Sequence, residues 1–168
     1  NIQEKVDASS VLLAEERGAC PDAEEYGIKE RFSNKTAIAP TASISIICGG
    51  SSPGIEPIAA NSYTHKTLSG SFNVRNKYLK KVLQKYKKDT DEVWSTITTN
   101  QGSVAHLDFL TAEEKDTFKT AFEIDQRWIV ELGADRTPHI SQAQSINIFI
   151  PADIHKKELH DIHFQAWK

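Results

Sequence analysis

Apolar residues recur at helical spacing along most of the chain and predict helices in six regions. Such spacing gives a helix one apolar face that packs against the rest of the protein. The first predicted helix carries Ile2, Val6, Ser9 and Leu13 on one face and ends at Gly18, before a proline. The other predicted helices lie at 22–30, 78–86, 91–99 and 111–133 and after Pro151.

The segment 111–133 is the longest of these predicted helices. Thr111 and Glu114 form a capping-box pattern at its start, and Gly133 is a suitable stop at its end. Asp125 falls on the apolar stripe, where an unpaired charge is costly, so we expect Arg127 to pair with it in a structural role. The stripe consists of Phe118, Ala121, Phe122, Trp128, Ile129 and Leu132.

Two segments have strand-like patterns. Residues 145–150 alternate between polar and apolar until Pro151, and residues 36–39 form a short apolar run. Pro40 ends that run because it has no N–H group to donate. The elements together predict an α/β fold with more helix than strand, in a single domain over 1–168.

Small hydroxyl residues follow Pro40, namely Thr41, Ser43 and Ser45, and they allow two interpretations. A helix that starts here has about four unpaired N–H groups and no acidic residue beside them, which suits a phosphate. Alternation over 43–46 favours a strand equally well. A Walker-type phosphate loop is excluded because no Gly-Lys-Ser/Thr sequence follows.

Other polar features have structural interpretations first. Glu56, between an isoleucine and a proline, suits a structural hydrogen bond, and the glycine-rich segment 49–54 suits a simple turn. One face of the predicted helix 78–86 is basic. We expect solvent there rather than nucleic acid, because no aromatic residues interleave to stack bases. The basic residues are Lys77, Lys80, Lys81, Lys85, Lys87 and Lys88.

Composition narrows the class of protein. The 168 residues are 39% hydrophobic and 26% charged with a net charge of −3, which is typical of a soluble domain and argues against general nucleic-acid binding. No apolar run is long enough for a membrane span, and no signal peptide opens the chain. Two cysteines make no disulfide framework, so we expect a cytoplasmic location. Because the chain contains no methionine, we expect that Asn1 is not a natural start and that the chain is a piece of a longer polypeptide.

Metal and thiol chemistry find little support in the sequence. His160 and His163 could share a helical face near His155, but a closed zinc site needs four ligands, so we predict no metal site. Cys20 lies in a turn, and Cys48 is expected on a buried face after two isoleucines. We assign a catalytic role to neither cysteine.

Several motifs, taken in order from about residue 34 to the end, resemble the large catalytic subunit of class I ribonucleotide reductases. Together they cover most of the chain. They are Ala39-Pro-Thr-Ala-Ser-Ile-Ser45, Gly54-Ile-Glu-Pro57, Asn61, Tyr63, Lys66-Thr-Leu-Ser-Gly70, Phe72, Ala134-Asp-Arg-Thr-Pro138, Gln142-Ala-Gln-Ser-Ile-Asn147 and Ala166-Trp-Lys168.

The resemblance implies the C-terminal part of a ten-stranded α/β barrel and a role in reducing ribonucleoside diphosphates for DNA synthesis. It favours the helix interpretation after residue 40 and implies that the segment binds the substrate diphosphate. It also places Glu56 near the substrate. The implied phosphate-binding residues are Pro40, Thr41, Ala42, Ser43, Ile44 and Ser45.

The family's radical and reducing cysteines, its effector sites for ATP and deoxynucleotides, and its radical-relay tyrosines match nothing in this chain. The resemblance implies partners that supply them: the remainder of the large subunit, a second copy of that subunit, and a small subunit with a metal-generated radical. We therefore expect no cofactor within the chain and no activity from the chain alone.

Three alternatives stay open. One is a non-catalytic phosphate or nucleotide-binding module, and another is a structural domain that docks a partner through its lysine-rich helix. The third is a fragment of an adenosylcobalamin-dependent ribonucleotide reductase.

Overall fold

The computed structural model describes residues 1–49, 52–68 and 70–168. This part of the chain is rich in helix and has one antiparallel two-stranded sheet, β1 (Ser62–Thr67) with β2 (Gly70–Arg75). Short 3₁₀ turns lie at Ala121–Glu123 and Thr137–His139. The helices are α1 (Ile2–Arg17), α2 (Pro21–Glu25), α3 (Ala42–Ile47), α4 (Lys77–Lys85), α5 (Asp91–Thr99), α6 (Ala112–Thr117), α7 (Arg127–Arg136) and α8 (Lys156–Trp167).

Helix α1 forms where predicted, but only part of the predicted face is covered, since Val6 and Leu13 are half-buried and Ser9 is exposed. Ile2 is 81% exposed, whereas Ser10 and Ala14 are buried. The Ser10 hydroxyl accepts hydrogen bonds from the N–H groups of Arg31 (3.1 Å) and Phe32 (3.3 Å). These bonds attach the helix to the segment after α2 through polar contacts, which a search for apolar spacing does not detect.

The core lies around α4 and α5. On α4, Leu79 and Leu83 are fully buried, with Val82 and Tyr86 packed against the same cluster, which confirms the amphipathic helix. The lysines on its opposite side are exposed, as expected. The buried cluster consists of Leu79, Leu83, Trp94, Ile97, Val104, Leu107, Leu110 and Phe118.

The predicted single helix over 111–133 is wrong. Its capping box is present, since Thr111 and Glu114 exchange hydrogen bonds, but α6 ends at Thr117. The carbonyl of Phe118 accepts from the Asn61 side chain (2.7 Å), and Ala121 N–H donates to the Ile58 carbonyl (2.9 Å). These long-range bonds take the groups that would continue the helix.

The second half of that segment becomes α7, and Gly133 lies buried within it rather than at its end. A Cβ at Gly133 would lie 2.9 Å from Ile146 Cδ1, so close packing accounts for the glycine. On the predicted stripe, Phe122, Trp128 and Leu132 are about half exposed.

The expected pairing of Asp125 with Arg127 is confirmed, although on the surface. Arg127 Nε lies 2.9 Å from both carboxylate oxygens. This contact holds the pKa of Asp125 below its usual range. Asp125 is 42% exposed, so its charge is not on a buried stripe.

The strand predicted at 145–150 does not form, and 36–39 contributes one parallel bridge, between Ile38 and Gln144. In the described part of the chain, Ser145 N–H donates to the Ile38 carbonyl (2.9 Å). The N–H of Phe149 instead donates to the side chain of Gln126 (2.8 Å). A strand needs a row of backbone partners, and residues 145–150 find only isolated ones within the described chain.

The hairpin of β1 and β2 was not predicted. Its signals were present: Tyr63, Thr64, Phe72 and Val74 favour strands, and Gly70, with φ +140°, follows the turn. Asn76 then caps α4 by accepting from the N–H groups of Tyr78 and Leu79.

The first prediction concerns Gly102, which has φ +83° and lies where a Cβ would be 2.6 Å from the Ala60 Cα. Replacement by alanine should lower the free energy of unfolding by about 2 kcal/mol or more, because strain and a backbone clash add. Gly27→Ala is the matched control, since Gly27 has φ +66° and open space around it. It should cost about 1 kcal/mol from strain alone. Urea unfolding of the purified variants measures both, and equal losses would contradict the clash.

The second prediction concerns Glu114, whose pKa is lowered from 4.5 chiefly by the N–H of Thr111, with help from the Tyr86 hydroxyl. The folded state therefore favours the carboxylate. This stabilisation is present above the unfolded pKa and is lost as the pH falls through the lowered folded pKa. Glu114→Gln should flatten the dependence of melting temperature on pH in that acidic window. Glu113→Gln, on an exposed neighbour, is the control. A profile unchanged by the Glu114 substitution would refute the prediction.

Candidate functional site

The helix interpretation of the segment after Pro40 is confirmed, because α3 begins directly after Thr41. Its first turn contains no acidic residue, and no described side chain caps it. The N–H groups of Ala42, Ser43 and Ile44 are those that a helix cannot satisfy itself. Ala42 and Ser43 are exposed. The start of α3 therefore presents backbone donors at the surface of the described chain, where the helix dipole favours negative charge.

The hydroxyl groups of this segment have separate roles. Thr41 Oγ1 donates to the Pro53 carbonyl (2.9 Å), and the 7%-exposed Ser45 donates to the carbonyl of Ala42 (2.8 Å). The Ser43 side chain is exposed. Two of the three hydroxyls thus hold the turn together, and the accessible donors are the amides and Ser43.

The chain after α3 returns to the start of the helix. Thr41 N–H also donates to the Pro53 carbonyl (2.8 Å), so one carbonyl accepts two bonds from the residue before α3. Beyond the other end of α3, Lys77 Nζ donates to the carbonyl of Gly49 (3.1 Å). Part of the turn predicted at 49–54 lies outside the described residues.

Glu56 lies close to this returning segment and is 4% exposed. Its Oε1 accepts a hydrogen bond from the side chain of Asn147 (2.5 Å). Its Oε2 is buried and has no hydrogen-bond partner among the described residues. Sequence reasoning named Glu56 but gave no role to Asn147. The signal was a polar residue between Ile146 and Ile148 in an apolar run.

The expected burial of Cys48 is wrong, because this residue follows the last turn of α3 and is exposed. Cys20 is half-buried, and both thiols are free.

The histidines near the C-terminus make contacts within their own helix. The ring of His155 accepts from the N–H of Lys157, His163 Nδ1 contacts the Leu159 carbonyl, and His160 stacks on Phe164. Among the described residues, no group of three or more His, Cys, Asp or Glu side chains is placed to hold a metal ion. In the same part of the chain, no helix is long and apolar enough to cross a bilayer.

Comparison with known proteins identifies one family. A family model described as the ribonucleotide reductase barrel domain matches residues 10–168. The ribonucleoside-diphosphate reductase large subunit of Invertebrate iridescent virus 6 is 47% identical over 99% of the chain, and that of Caenorhabditis elegans is 35% identical over 86%. The chain spans 18% of the length of each relative. The class Id ribonucleotide reductase alpha subunit of Actinobacillus ureae superposes with a TM-score of 0.87 at 37% identity, covering 99% of this chain and 30% of that one.

Proposed function

The chain belongs to the ribonucleotide reductase barrel-domain family, and we propose that it forms part of the catalytic barrel of a ribonucleoside-diphosphate reductase large subunit. The complete subunit would reduce ribonucleoside diphosphates to deoxyribonucleotides. This chain would contribute the site that holds the substrate's diphosphate, while other parts of the subunit supply the reacting thiols.

The observation that carries the proposal is the start of α3, which has no acidic residue and no side-chain cap. A diphosphate there would accept hydrogen bonds from the amides of Ala42, Ser43 and Ile44 and from the Ser43 hydroxyl. Small side chains at Ala42 and Ser43 leave room for the phosphate oxygens. Fixing the diphosphate would place the ribose in a defined position, and such positioning can supply several kcal/mol, up to about 7–11 in ideal cases.

The remainder of the same subunit is the first proposed partner. On α3, Ile44, Ile46 and Ile47 are 59%, 58% and 84% exposed. Leu68 is fully exposed as well. Uncovered apolar side chains of this size favour burial against further protein. The segment 145–150 is half-buried except for the exposed Asn147, and neighbouring barrel strands would pair its backbone groups. A second copy of the subunit and a radical-generating small subunit are further proposed partners.

The third prediction tests the phosphate site by placing a charge in it. Ala42→Asp, in the whole large subunit, should weaken binding of a nucleoside diphosphate by at least about tenfold, because like charges a few ångströms apart repel. Ala112→Asp is the matched control, since Ala112 is likewise the exposed first residue of a helix. Isothermal titration calorimetry measures both variants. Unchanged affinity in Ala42→Asp would show that this segment does not bind the diphosphate.

The fourth prediction is that the 168-residue chain alone produces no deoxynucleotide. Extended through the family's relay tyrosines, it should restore activity to the upstream part of the subunit. Reduction in this family uses a radical-bearing thiol and a pair of reducing thiols, whereas the chain has two cysteines, neither matching those positions. When catalytic groups act as a unit, removing one of them removes nearly the whole catalytic rate.

The experiment mixes the chain, extended through the family's relay tyrosines, with the missing part of the subunit and the small subunit, and then assays deoxynucleotide formation. Activity of the chain by itself would refute the first half of this prediction. An inactive mixture of folded components would refute the second.

A further inference from the structure

The Glu56 carboxyl group is buried in a way that the stability of the fold does not explain. It is 4% exposed, and one of its oxygens has no hydrogen-bond partner among the described residues. A buried polar atom without a partner destabilises a protein. A residue selected for packing alone would be apolar, so the position of this acid calls for another reason.

Both oxygens of the carboxyl group face Gly54. A Cβ built at Gly54 would lie 2.7 Å from the Glu56 Cδ and from Oε1, so only glycine leaves room for the carboxyl group at this distance. Gly54 therefore lies against the carboxyl group, and the exposed Asn147 side chain bonds its Oε1. A larger residue at 54 would displace Oε1, the atom that accepts from Asn147.

Hydrogen bonds and short chain segments around Glu56 form a closed loop, here called the circuit, which includes the start of α3. Ser145 N–H donates to the carbonyl of Ile38, and shortly after Ile38 the chain reaches Thr41. Thr41 donates twice to the Pro53 carbonyl, and the chain then reaches Glu56. Asn147 donates to Glu56 and is joined through the chain to Ser145. The bond between Glu56 and Asn147 is the one side chain to side chain link in this described circuit.

We infer that Glu56 is a positioning residue for the diphosphate site: through Asn147 and the Pro53–Gly54 turn it fixes Thr41, where α3 begins. The inference rests on the proposed function, because it assigns Glu56 to the same phosphate site. Glu56 does not touch the diphosphate in this assignment. It acts by holding the donor amides in one arrangement, so its hydrogen-bond acceptor matters and its charge does not.

The test compares binding of CDP with that of cytidine, which lacks the phosphates, in the whole large subunit. Asn147→Ala and Glu56→Leu each remove the link. Each should weaken CDP binding about tenfold, which is the usual scale for losing one hydrogen bond from a donor amide to the charged diphosphate. Cytidine binding should stay unchanged. Gly54→Ala should act in the same way. Its combination with Asn147→Ala should be no worse than either change alone, because both break one link.

Two variants separate positioning from general stability. Glu56→Gln keeps an acceptor for Asn147 but buries N–H donors beside Gly54, so it should lower the melting temperature and keep CDP affinity within about threefold. Gln144→Ala is the matched control. The Gln144 backbone lies at the bridge to Ile38, but its side chain donates to the Gly133 carbonyl (2.7 Å) and Thr137 Oγ1 (3.0 Å), outside the circuit. It should lower stability without changing the preference for CDP.

The outcomes distinguish this inference from the proposed function. If the unaltered subunit binds CDP no better than cytidine, the phosphate site itself is refuted and the inference with it. If Ala42→Asp removes that preference while Asn147→Ala and Glu56→Leu retain it, the inference alone is overturned. It is also overturned if Glu56→Gln binds CDP as weakly as Glu56→Leu, because the charge of Glu56 would then be what matters. Should Glu56→Leu fail to fold, Asn147→Ala and Gly54→Ala decide the question.

Discussion

The described fold depends most on the hydrogen bonds made by the side chain of Asn61. It is 1% exposed, and its Nδ2 donates to the carbonyls of Gly102 (3.0 Å) and Phe118 (2.7 Å). Its Oδ1 accepts from the Asn76 side chain (2.8 Å). The Asn61 backbone adds bonds to Gly102 and Asn76. One amide therefore joins the start of the hairpin, the cap of α4, the turn after α5 and the end of α6. The side-chain bonds to Gly102 and Phe118 are buried, where an unpaired partner is most costly.

The described chain has one side where apolar side chains are covered by the chain itself and one side where they are exposed. Around Asn61, the apolar faces of α4 and α5 are closed by residues between Val104 and Phe118. Around α3, isoleucines face outward, and the segment 145–150 is half-buried with Asn147 exposed. The side that carries the proposed diphosphate site is thus the side left open. This agrees with a chain that matches the barrel domain of a protein several times its length.

Local signals were sufficient where an element is determined by its own residues. The bounds of α5, the capping box at Thr111 and the amphipathic face of α4 were all predicted, because caps and apolar spacing are local. The helix over 111–133 was mispredicted since a side chain far away in sequence, Asn61, takes a carbonyl that the helix needs. At the site, resemblance to a family decided between helix and strand at α3, whereas periodicity alone did not. Nothing local links Glu56 to Asn147, because that bond exists only once distant segments meet.

Helix α3 is held at both ends, and this has a mechanical consequence. Thr41 is bound to Pro53 at its start, and the carbonyl of Gly49, just past its end, accepts from Lys77, the first residue of α4. The two attachments differ in stiffness, because Thr41 makes two bonds to the Pro53 carbonyl, whereas the Lys77 bond is single and exposed. A displacement of the turn at Pro53 would therefore move the first turn of α3 directly, whereas the flexible lysine side chain would absorb a displacement of α4.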